Sequence, residues 1–185
     1  MAEVASTCNE SLLMHYMLEH CEDENERKYL MTHFLDGFRT TLFRQAQFAE
    51  FEHIAHRKMQ KGEPVTKDVL NELWHELNVQ YYGPDMRVDD EISYEWMRIP
   101  QFLHTVLCIS VLDRLFGSSC FFKKILEEGK PAVDKYIGNF LCGGCSKNPI
   151  ELLKSAGVDM STPKPVDDAL NVFEDYLKQF ETATK

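Results

Sequence analysis

Residues 2–10 read Ala2-Glu3-Val4-Ala5-Ser6-Thr7-Cys8-Asn9-Glu10, and this stretch is the most informative in the chain. Apolar side chains recur there at helical spacing, with Val4, Cys8 and Leu12 on or near one stripe. The pattern predicts a helix over residues 2–21. It is typical of the interior of a folded enzyme and not of a natural amino terminus.

Helical spacing continues along nearly the whole chain, while glycine and proline are few and gather at the joints. It predicts a long helix over residues 25–60, a third over 67–81, a helical region over 92–127, and shorter helices at 131–141, 149–156 and 166–180. The acidic joint over residues 22–25 is suitable for an N-cap and a first turn, and Thr66 is expected to cap the third helix. Gly37, inside the long helix, is expected to let another helix approach closely. We therefore expect an all-α fold.

The composition of the chain limits which kinds of partner it can bind and in which cellular compartment it is expected. The 185 residues carry a net charge of −10, which argues against nucleic acid and against an anionic membrane surface. No apolar run reaches the ~18 residues of a membrane span, and no basic segment precedes residue 2, so we expect no signal peptide. The six cysteines are irregularly spaced, which is typical of reduced thiols in a cytoplasmic protein.

Longer motifs follow one another along the chain. Residues 34–52 read FLDGFRTTLFRQAQFAEFE, residues 82–84 YGP, 96–100 WMRIP, 143–144 GG, 149–154 PIELLK and 156–159 AGVD. Together with residues 2–10, they resemble the C-terminal part of bacterial oligoendopeptidase F, a zinc metallopeptidase related to thimet oligopeptidase. The resemblance covers nearly the whole chain. It implies that residues 1–185 form a C-terminal, all-α fragment of a zincin-type oligopeptidase catalytic domain.

The resemblance gives Glu3 the role of the third zinc ligand. In the family, the other two ligands and the general base lie upstream, in an HExxH helix, and this chain has no HExxH. One carboxylate cannot hold zinc. We therefore expect zinc in the intact family enzyme but not in this chain alone, where Glu3 by itself would be a solvated carboxylate.

The catalytic stretch of the family is altered here. After the W-RIP segment, the family continues with HFY and further tyrosines, whose His and Tyr stabilise the oxyanion of the reaction. Gln101 stands in place of that His, and the expected tyrosines are missing, so no catalytic residue is assigned in this chain. The resemblance also places Gly143 and Gly144 in a loop facing the substrate cleft, where they would provide mobility.

The altered stretch has two explanations, a local frameshift, which we favour, and genuine divergence. If one base was inserted in codon 101 and one was lost from the lysine codons 123 and 124, reading in the restored frame can give HFYTPFYVYQYWIGFSAAVAFSKK, which contains the family motif. The resemblance resumes without a gap at Ile125. On this hypothesis the side chains of residues 101–122 say little about function, and we expect them to pack poorly.

Weaker patterns have plain structural explanations. Cys142 and Cys145 form a CxxC without the second ligand pair of a zinc ribbon, so a flexible loop is expected. His53 and His56 could share a metal, although a solvated helix face is favoured, and His15 with Glu19 is expected to be a surface pair. The charged residues of the long helix are expected to form a buried or half-buried ion network: Arg39, Arg44, Glu50 and Glu52.

Three functions remain open from the sequence. The first is a fragment of a zinc metalloendopeptidase that hydrolyses short cytosolic peptides, inactive as this chain alone. The second is a non-catalytic helical binding module, or the partner of a separately encoded N-terminal half. The third is a decayed gene product. A helix that lacks its natural neighbours should expose an apolar patch, and we expect the chain to associate through it.

Overall fold

The computed structural model describes the backbone of residues 2–99, 102 and 108–183, and the side chains of residues 3–99, 102 and 116–183. Within this part of the chain, the regular structure is helical and no strand occurs. The chain divides into two compact units. Unit 1 combines Met1–Arg39 with Asp113–Lys185, and unit 2 is Thr40–Leu112. The predicted all-α fold is confirmed.

The helices follow the order expected from the sequence. They are α1 (Ala2–His20), α2 (Glu24–Phe38), α3 (Arg44–Gln60), α4 (Lys67–Tyr82), α5 (Cys108–Glu128), α6 (Lys130–Lys135), α7 (Pro149–Ser155) and α8 (Lys164–Ala183). A π-helix, Arg39–Phe43, joins α2 to α3, and a second, Tyr136–Leu141, follows α6. A 3₁₀-helix, Asp90–Arg98, lies between α4 and α5.

Both predicted N-caps are confirmed. The Asp23 carboxylate accepts hydrogen bonds from the backbone N–H groups of Asn25 and Glu26, each at 2.8 Å. The Thr66 hydroxyl accepts one from the N–H of Val69 at 3.4 Å. The first backbone N–H groups of a helix have no acceptor within the helix, and these side chains supply one. The bonds therefore fix where α2 and α4 begin.

The long helix differs from the prediction in its middle. It is helical from Glu24 to Gln60, but Arg39–Phe43 adopts π geometry. Two adjacent β-branched residues, Thr40 and Thr41, lie in this turn, where restricted side-chain rotation weakens the regular α-helix. The expectation for Gly37 is wrong, because no described atom lies within 4 Å of a Cβ placed there.

The predicted helical region 92–127 is not one α-helix. The 3₁₀-helix ends at Arg98, and Ile99 is extended (φ −108°, ψ 90°). A residue before proline is driven out of the helical region by the proline ring, and Pro100 follows Ile99 in the sequence. Gln101 and residues 103–107 lie outside the described residues.

Unit 1 packs around an aromatic trio. The ring of Phe121 lies 5.0 Å from that of Tyr136 and 4.9 Å from that of Phe140, centroid to centroid. The rest of this core comes from α1, α5, α7 and the turn after α7: Val4, Cys8, Cys120, Leu152, Leu153, Ala156 and Val158. Helices α2 and α8 also meet in this unit, where the ring centroids of Phe34 and Tyr176 lie 4.4 Å apart and the ring planes are tilted by 55°.

The described end of the altered stretch packs well, so the expectation of poor packing is wrong for residues 117–122. Ser118, Cys120, Phe121 and Phe122 are all buried. A Cβ at Gly117 would lie 3.4 Å from Cγ1 of Val4, an ordinary van der Waals contact, so α5 packs against α1 at this position.

Unit 2 has a separate aromatic core. Trp74 is fully buried, and its ring lies 5.0 Å from that of Phe51 and 5.9 Å from that of Phe102. Trp96 closes this core and donates from Nε1 to Asn71 Oδ1 at 2.9 Å. Helices α3 and α4 and the 3₁₀-helix are thereby held together.

The described residues bear on two expectations from the sequence, one about membrane-spanning helices and one about the state of the cysteines. None of their helices is long and apolar enough to cross a bilayer. Cys8, Cys21, Cys120, Cys142 and Cys145 are free thiols, as the irregular spacing predicted.

Candidate functional site

Glu3 lies on the exposed face of α1. A neighbouring face of this helix carries Val4, Cys8 and Leu18, which are buried. Residues seven positions apart share a helix face, so Glu3, Glu10 and Met17 form one exposed line. The Glu3 carboxylate therefore belongs to the side of α1 that faces away from the core.

Hydrogen bonds from two other elements fix α1 in place. The Tyr136 hydroxyl donates to the carbonyl of Ala5 at 3.3 Å and approaches Asn9 Oδ1 at 3.4 Å. Arg27 of α2 donates from Nη1 to the carbonyl of Leu18 at 2.6 Å. The position of Glu3 is thus set by contacts at both ends of its helix.

His15 does more than the surface pairing expected for it. Its Nε2 lies 3.3 Å from Glu19 Oε1, as predicted, while its Nδ1 hydrogen-bonds with the Tyr176 hydroxyl at 2.9 Å. Burial raises the pKa of Tyr176 to about 12. The hydrogen bond between His15 and Tyr176 therefore joins α1 to α8, and the Tyr176 phenol in it is neutral.

The described residues do not make up a metal site. No group of three or more His, Cys, Asp or Glu side chains among them could hold a metal ion. Glu3 can supply one carboxylate, whereas zinc sites use three or four protein ligands. His53 and His56 belong to no such group either. His56 is only half exposed and its Nε2 is buried without a partner among the described residues, so the solvated face expected for it is wrong.

Steric and backbone constraints explain why glycine occupies positions 143 and 144. A Cβ at Gly143 would lie 2.6 Å from the carbonyl oxygen of Asn139 and 2.5 Å from Cδ1 of Leu152, closer than any side chain is tolerated. Gly144 has φ +50°, in the left-handed region that favours glycine. Both glycines are therefore needed by the local backbone and packing. The predicted role of facing a substrate cleft stays a prediction.

The CxxC pair lies in the same loop. Cys142 and Cys145 are exposed free thiols in the turn that follows the second π-helix. No described metal-binding group includes them. An exposed loop carrying two thiols agrees with the structural explanation given for this motif.

The ion network expected along the long helix is confirmed for Arg44, whereas Glu50 is hydrogen-bonded to a neutral phenol. Glu95 accepts hydrogen bonds from Arg44 and, at 2.7 Å, from Arg98. Glu50 accepts one from the Tyr81 hydroxyl at 2.9 Å, and burial together with this carboxylate raises the pKa of Tyr81 to about 12. Arg39 differs, because it pairs at the surface with Asp36 at 2.9 Å.

Sequence reasoning missed a set of buried polar atoms in unit 2. Without a hydrogen-bond partner among the described residues are Gln47 Nε2, His56 Nε2, Trp74 Nε1, Asn78 Oδ1 and Glu95 Oε2. A signal was present for one of them, since Asn78 follows Trp74 by one helical turn and so falls on the buried stripe of α4. A polar residue on an apolar stripe marks either a buried hydrogen bond or a binding site.

The model of peptidase family M3 matches residues 1–172, and the chain belongs to this family. Oligopeptidase PepF of Bacillus subtilis is 47% identical over 181 residues, or 98% of this chain and 27% of that protein. The plasmid-encoded oligoendopeptidase F of Lactococcus lactis subsp. cremoris is 37% identical over 98% of this chain and 30% of its own length.

Solved structures agree with these relatives. The crystal structure of oligoendopeptidase F from Enterococcus faecium matches with a TM-score of 0.91 and 41% identity, covering 99% of this chain and 35% of that one. A putative peptidase from Chlamydophila abortus matches with a TM-score of 0.88 and 34% identity, over 97% of this chain and 30% of that one. The chain thus spans about a third or less of the proteins it resembles.

Proposed function

We propose that this chain is the C-terminal part of the catalytic domain of an oligoendopeptidase-F-like zinc metallopeptidase, which hydrolyses short cytosolic peptides. On this proposal, Glu3 is the zinc ligand that the chain contributes. The observation that carries it is the exposure of Glu3 on α1, beside the buried stripe that contains Val4 and Cys8.

Exposed apolar side chains on α1 support this role. Leu13, Tyr16 and Met17 are exposed on α1, at 59%, 58% and 38% of their surface. A helix that is apolar on both sides is usually buried on both sides. We infer that a further protein segment packs on this face of α1. A segment carrying HExxH would bring the two His ligands and the general base to Glu3.

Without that segment, the residues present do not fit zinc, and this chain alone should not hydrolyse peptides. The loop of Gly143 and Gly144 would face the substrate cleft of the completed enzyme. The contribution of this chain to such an enzyme is then structural, in that it positions one carboxylate on a helix fixed by Tyr136 and Arg27.

Reconstitution tests this function. The purified chain is mixed with a separately produced upstream segment of a family member that carries HExxH, and three quantities are measured: complex formation, bound zinc and hydrolysis of a fluorogenic peptide. Glu3→Gln should abolish zinc retention by the complex while leaving complex formation intact. Glu10→Gln is the matched control, since Glu10 lies on the same exposed line of α1 two turns away.

The exposed apolar face also favours a second candidate, a non-catalytic helical binding module. It predicts complex formation without zinc uptake and without any effect of Glu3→Gln. Zinc retention that depends on Glu3 would exclude it. A complex that takes up no zinc would instead exclude the peptidase proposal for this sequence.

A further inference from the structure

Two exposed thiols lie close together in unit 1. Cys142 and Cys145 follow the second π-helix, in a stretch made of hydrogen-bonded turns. The backbone N–H of Gly143 donates to the carbonyl of Phe140 at 3.2 Å, and the N–H of Ser146 donates to the carbonyl of Gly143 at 3.0 Å. The chain therefore folds back on itself at this point and is not extended.

The spacing of Cys142 and Cys145 suits a disulfide. A disulfide requires Cα atoms about 4.4–6.8 Å apart. The ends of a four-residue turn lie within about 7 Å of each other, whereas the same number of extended residues would span roughly 10 Å. Because the backbone here is compact, a local adjustment is enough to bring the two sulfur atoms into bonding distance.

The two sides of this loop differ in their freedom to adjust. Gly143 is held in place, since a Cβ there would lie 2.6 Å from the Asn139 carbonyl oxygen, and Asn139 Nδ2 donates to a backbone carbonyl of α7 at 2.8 Å. At Gly144, no described atom lies within 4 Å of an added Cβ. Glycine also has the widest choice of backbone angles. The side of the loop that carries Cys145 can therefore move while the other side stays fixed.

These two thiols are also open to reagents in solution. Cys142 and Cys145 are exposed, whereas Cys8 and Cys120 are buried. Thiol–disulfide exchange requires a thiolate that the incoming disulfide can reach. The loop thus combines access, short spacing and a movable backbone in one pair of cysteines.

We propose that Cys142 and Cys145 form a reversible disulfide within the loop, by exchange with a low-molecular-weight disulfide such as glutathione disulfide. The Cys145 thiol loses its proton and attacks the glutathione disulfide, which leaves a mixed disulfide on Cys145 and releases one glutathione thiolate. The Cys142 thiolate then attacks the Cys145 sulfur and releases the second glutathione. The protein pair is oxidised by two electrons, the glutathione disulfide is reduced to two thiols, and the two protons pass to the released thiolates.

The disulfide makes the loop sensitive to the redox state of its surroundings. Ring closure restricts the backbone angles of Gly144, where the loop is free to move in the reduced protein. The segment that leads into α7 is thereby stiffened. The exchange involves neither Glu3 nor a metal, so it does not depend on the proposed peptidase role.

The test is incubation of the purified full chain with mixtures of glutathione and glutathione disulfide. Free thiols are trapped with N-ethylmaleimide, and the peptide that contains residues 142–145 is analysed by mass spectrometry. We expect this peptide to lose two hydrogen atoms without retaining glutathione. Cys142→Ser leaves no thiol to release glutathione from Cys145, so it should accumulate about tenfold more of the mixed disulfide there. Cys21→Ser removes a half-buried thiol outside the loop and is the control, which should form the loop disulfide as the parent chain does.

Three results would overturn the proposal. Reduced Cys142 and Cys145 in a mixture dominated by glutathione disulfide would show that the loop does not undergo the exchange. Glutathione retained on both cysteines of the parent chain would show that the ring does not close. A disulfide between two copies of the chain, seen as a dimer on a non-reducing gel, would assign the oxidation to contact between chains instead.

Discussion

Tyr136 and Ala5 are far apart in sequence, yet the Tyr136 hydroxyl donates a hydrogen bond to the Ala5 carbonyl at 3.3 Å. The bond joins the second π-helix to the helix that carries Glu3. Burial is the main cause that raises the pKa of Tyr136, and the neighbouring Cys8 thiol adds to it. The hydroxyl therefore keeps its proton and remains a donor.

Removing this hydroxyl should loosen α1. Tyr136→Phe keeps the ring contacts with Phe121 and Phe140 but loses the hydrogen bond, and we expect a loss of about 1 kcal/mol in the free energy of unfolding. Urea denaturation measures it. Tyr29→Phe is the control because Tyr29 is 70% exposed, and it should have no effect. Equal stability of the two variants would contradict a role for this bond.

The loop glycines give a second prediction. Gly143→Ala would place a methyl group 2.6 Å from the Asn139 carbonyl oxygen, which the backbone can relieve only by moving. We expect a loss of about 1–3 kcal/mol in the free energy of unfolding. At Gly138, in the preceding π-helix, no described atom lies within 4 Å of the added carbon, so Gly138→Ala should be neutral or slightly stabilising. Thermal unfolding of the two variants distinguishes these outcomes.

A third prediction concerns how the stability of the folded protein depends on pH. Asp168 is buried and accepts hydrogen bonds from Lys123 at 2.8 Å and Lys164 at 2.6 Å. Burial alone would raise the pKa of Asp168, but the two lysines outweigh it and lower the pKa below 3.8. The stabilisation is therefore complete above the pKa of the unfolded chain and is lost as pH falls through the lower pKa of the folded protein.

Asp168→Asn should accordingly be less stable than the parent chain at pH 7, and the difference should shrink as the pH falls below about 4. Denaturation midpoints between pH 7 and pH 2 measure both effects. Asp134→Asn removes an exposed carboxylate paired with Lys130 and should change little. A difference that stays constant over this pH range would contradict the ionic origin of the effect.

A fourth prediction concerns thiol reactivity. Burial raises the pKa of Cys8 to about 11, while burial and the Asp168 carboxylate raise that of Cys120 to about 12. Since the thiolate is the reactive form, both should resist alkylation in the folded protein. Exposed Cys142 and Cys145 should react first. Mass spectrometry of iodoacetamide-treated protein locates the labels, and early labelling of Cys120 would show that α5 is not packed as described.

The frameshift hypothesis gives a fifth prediction, which concerns residues 101–124. Sequencing of the gene should reveal an inserted base in codon 101 and a missing base near codons 123 and 124. A chain carrying HFYTPFYVYQYWIGFSAAVAFSKK over residues 101–124 should be more stable by about 1 kcal/mol or more, because a segment selected together with its neighbours packs more consistently with them. Replacing residues 117–122 alone should give no gain, since they are already buried. Lower stability of the full replacement would count against the hypothesis.

The sequence predicted the parts of the fold that depend on neighbouring residues. Helical spacing located the helices, and Asp23 and Thr66 marked where two of them begin, because capping and periodicity act over a few residues. It missed the two π-helices and the break at Ile99. A π turn changes the backbone without changing the apolar pattern, so the pattern cannot reveal it.

For the candidate site, the sequence alone determined the family motifs, the absence of HExxH and the candidate ligand Glu3. Only the tertiary structure decided that Glu3 faces away from the core, that Gly143 is required by the Asn139 carbonyl, and that Asn78 Oδ1 is buried without a described partner. The physical reason is that burial and hydrogen-bond partners come from segments distant in sequence. A local pattern shows which face of a helix is apolar, but the packing of other helices decides which of its polar groups are left unpaired.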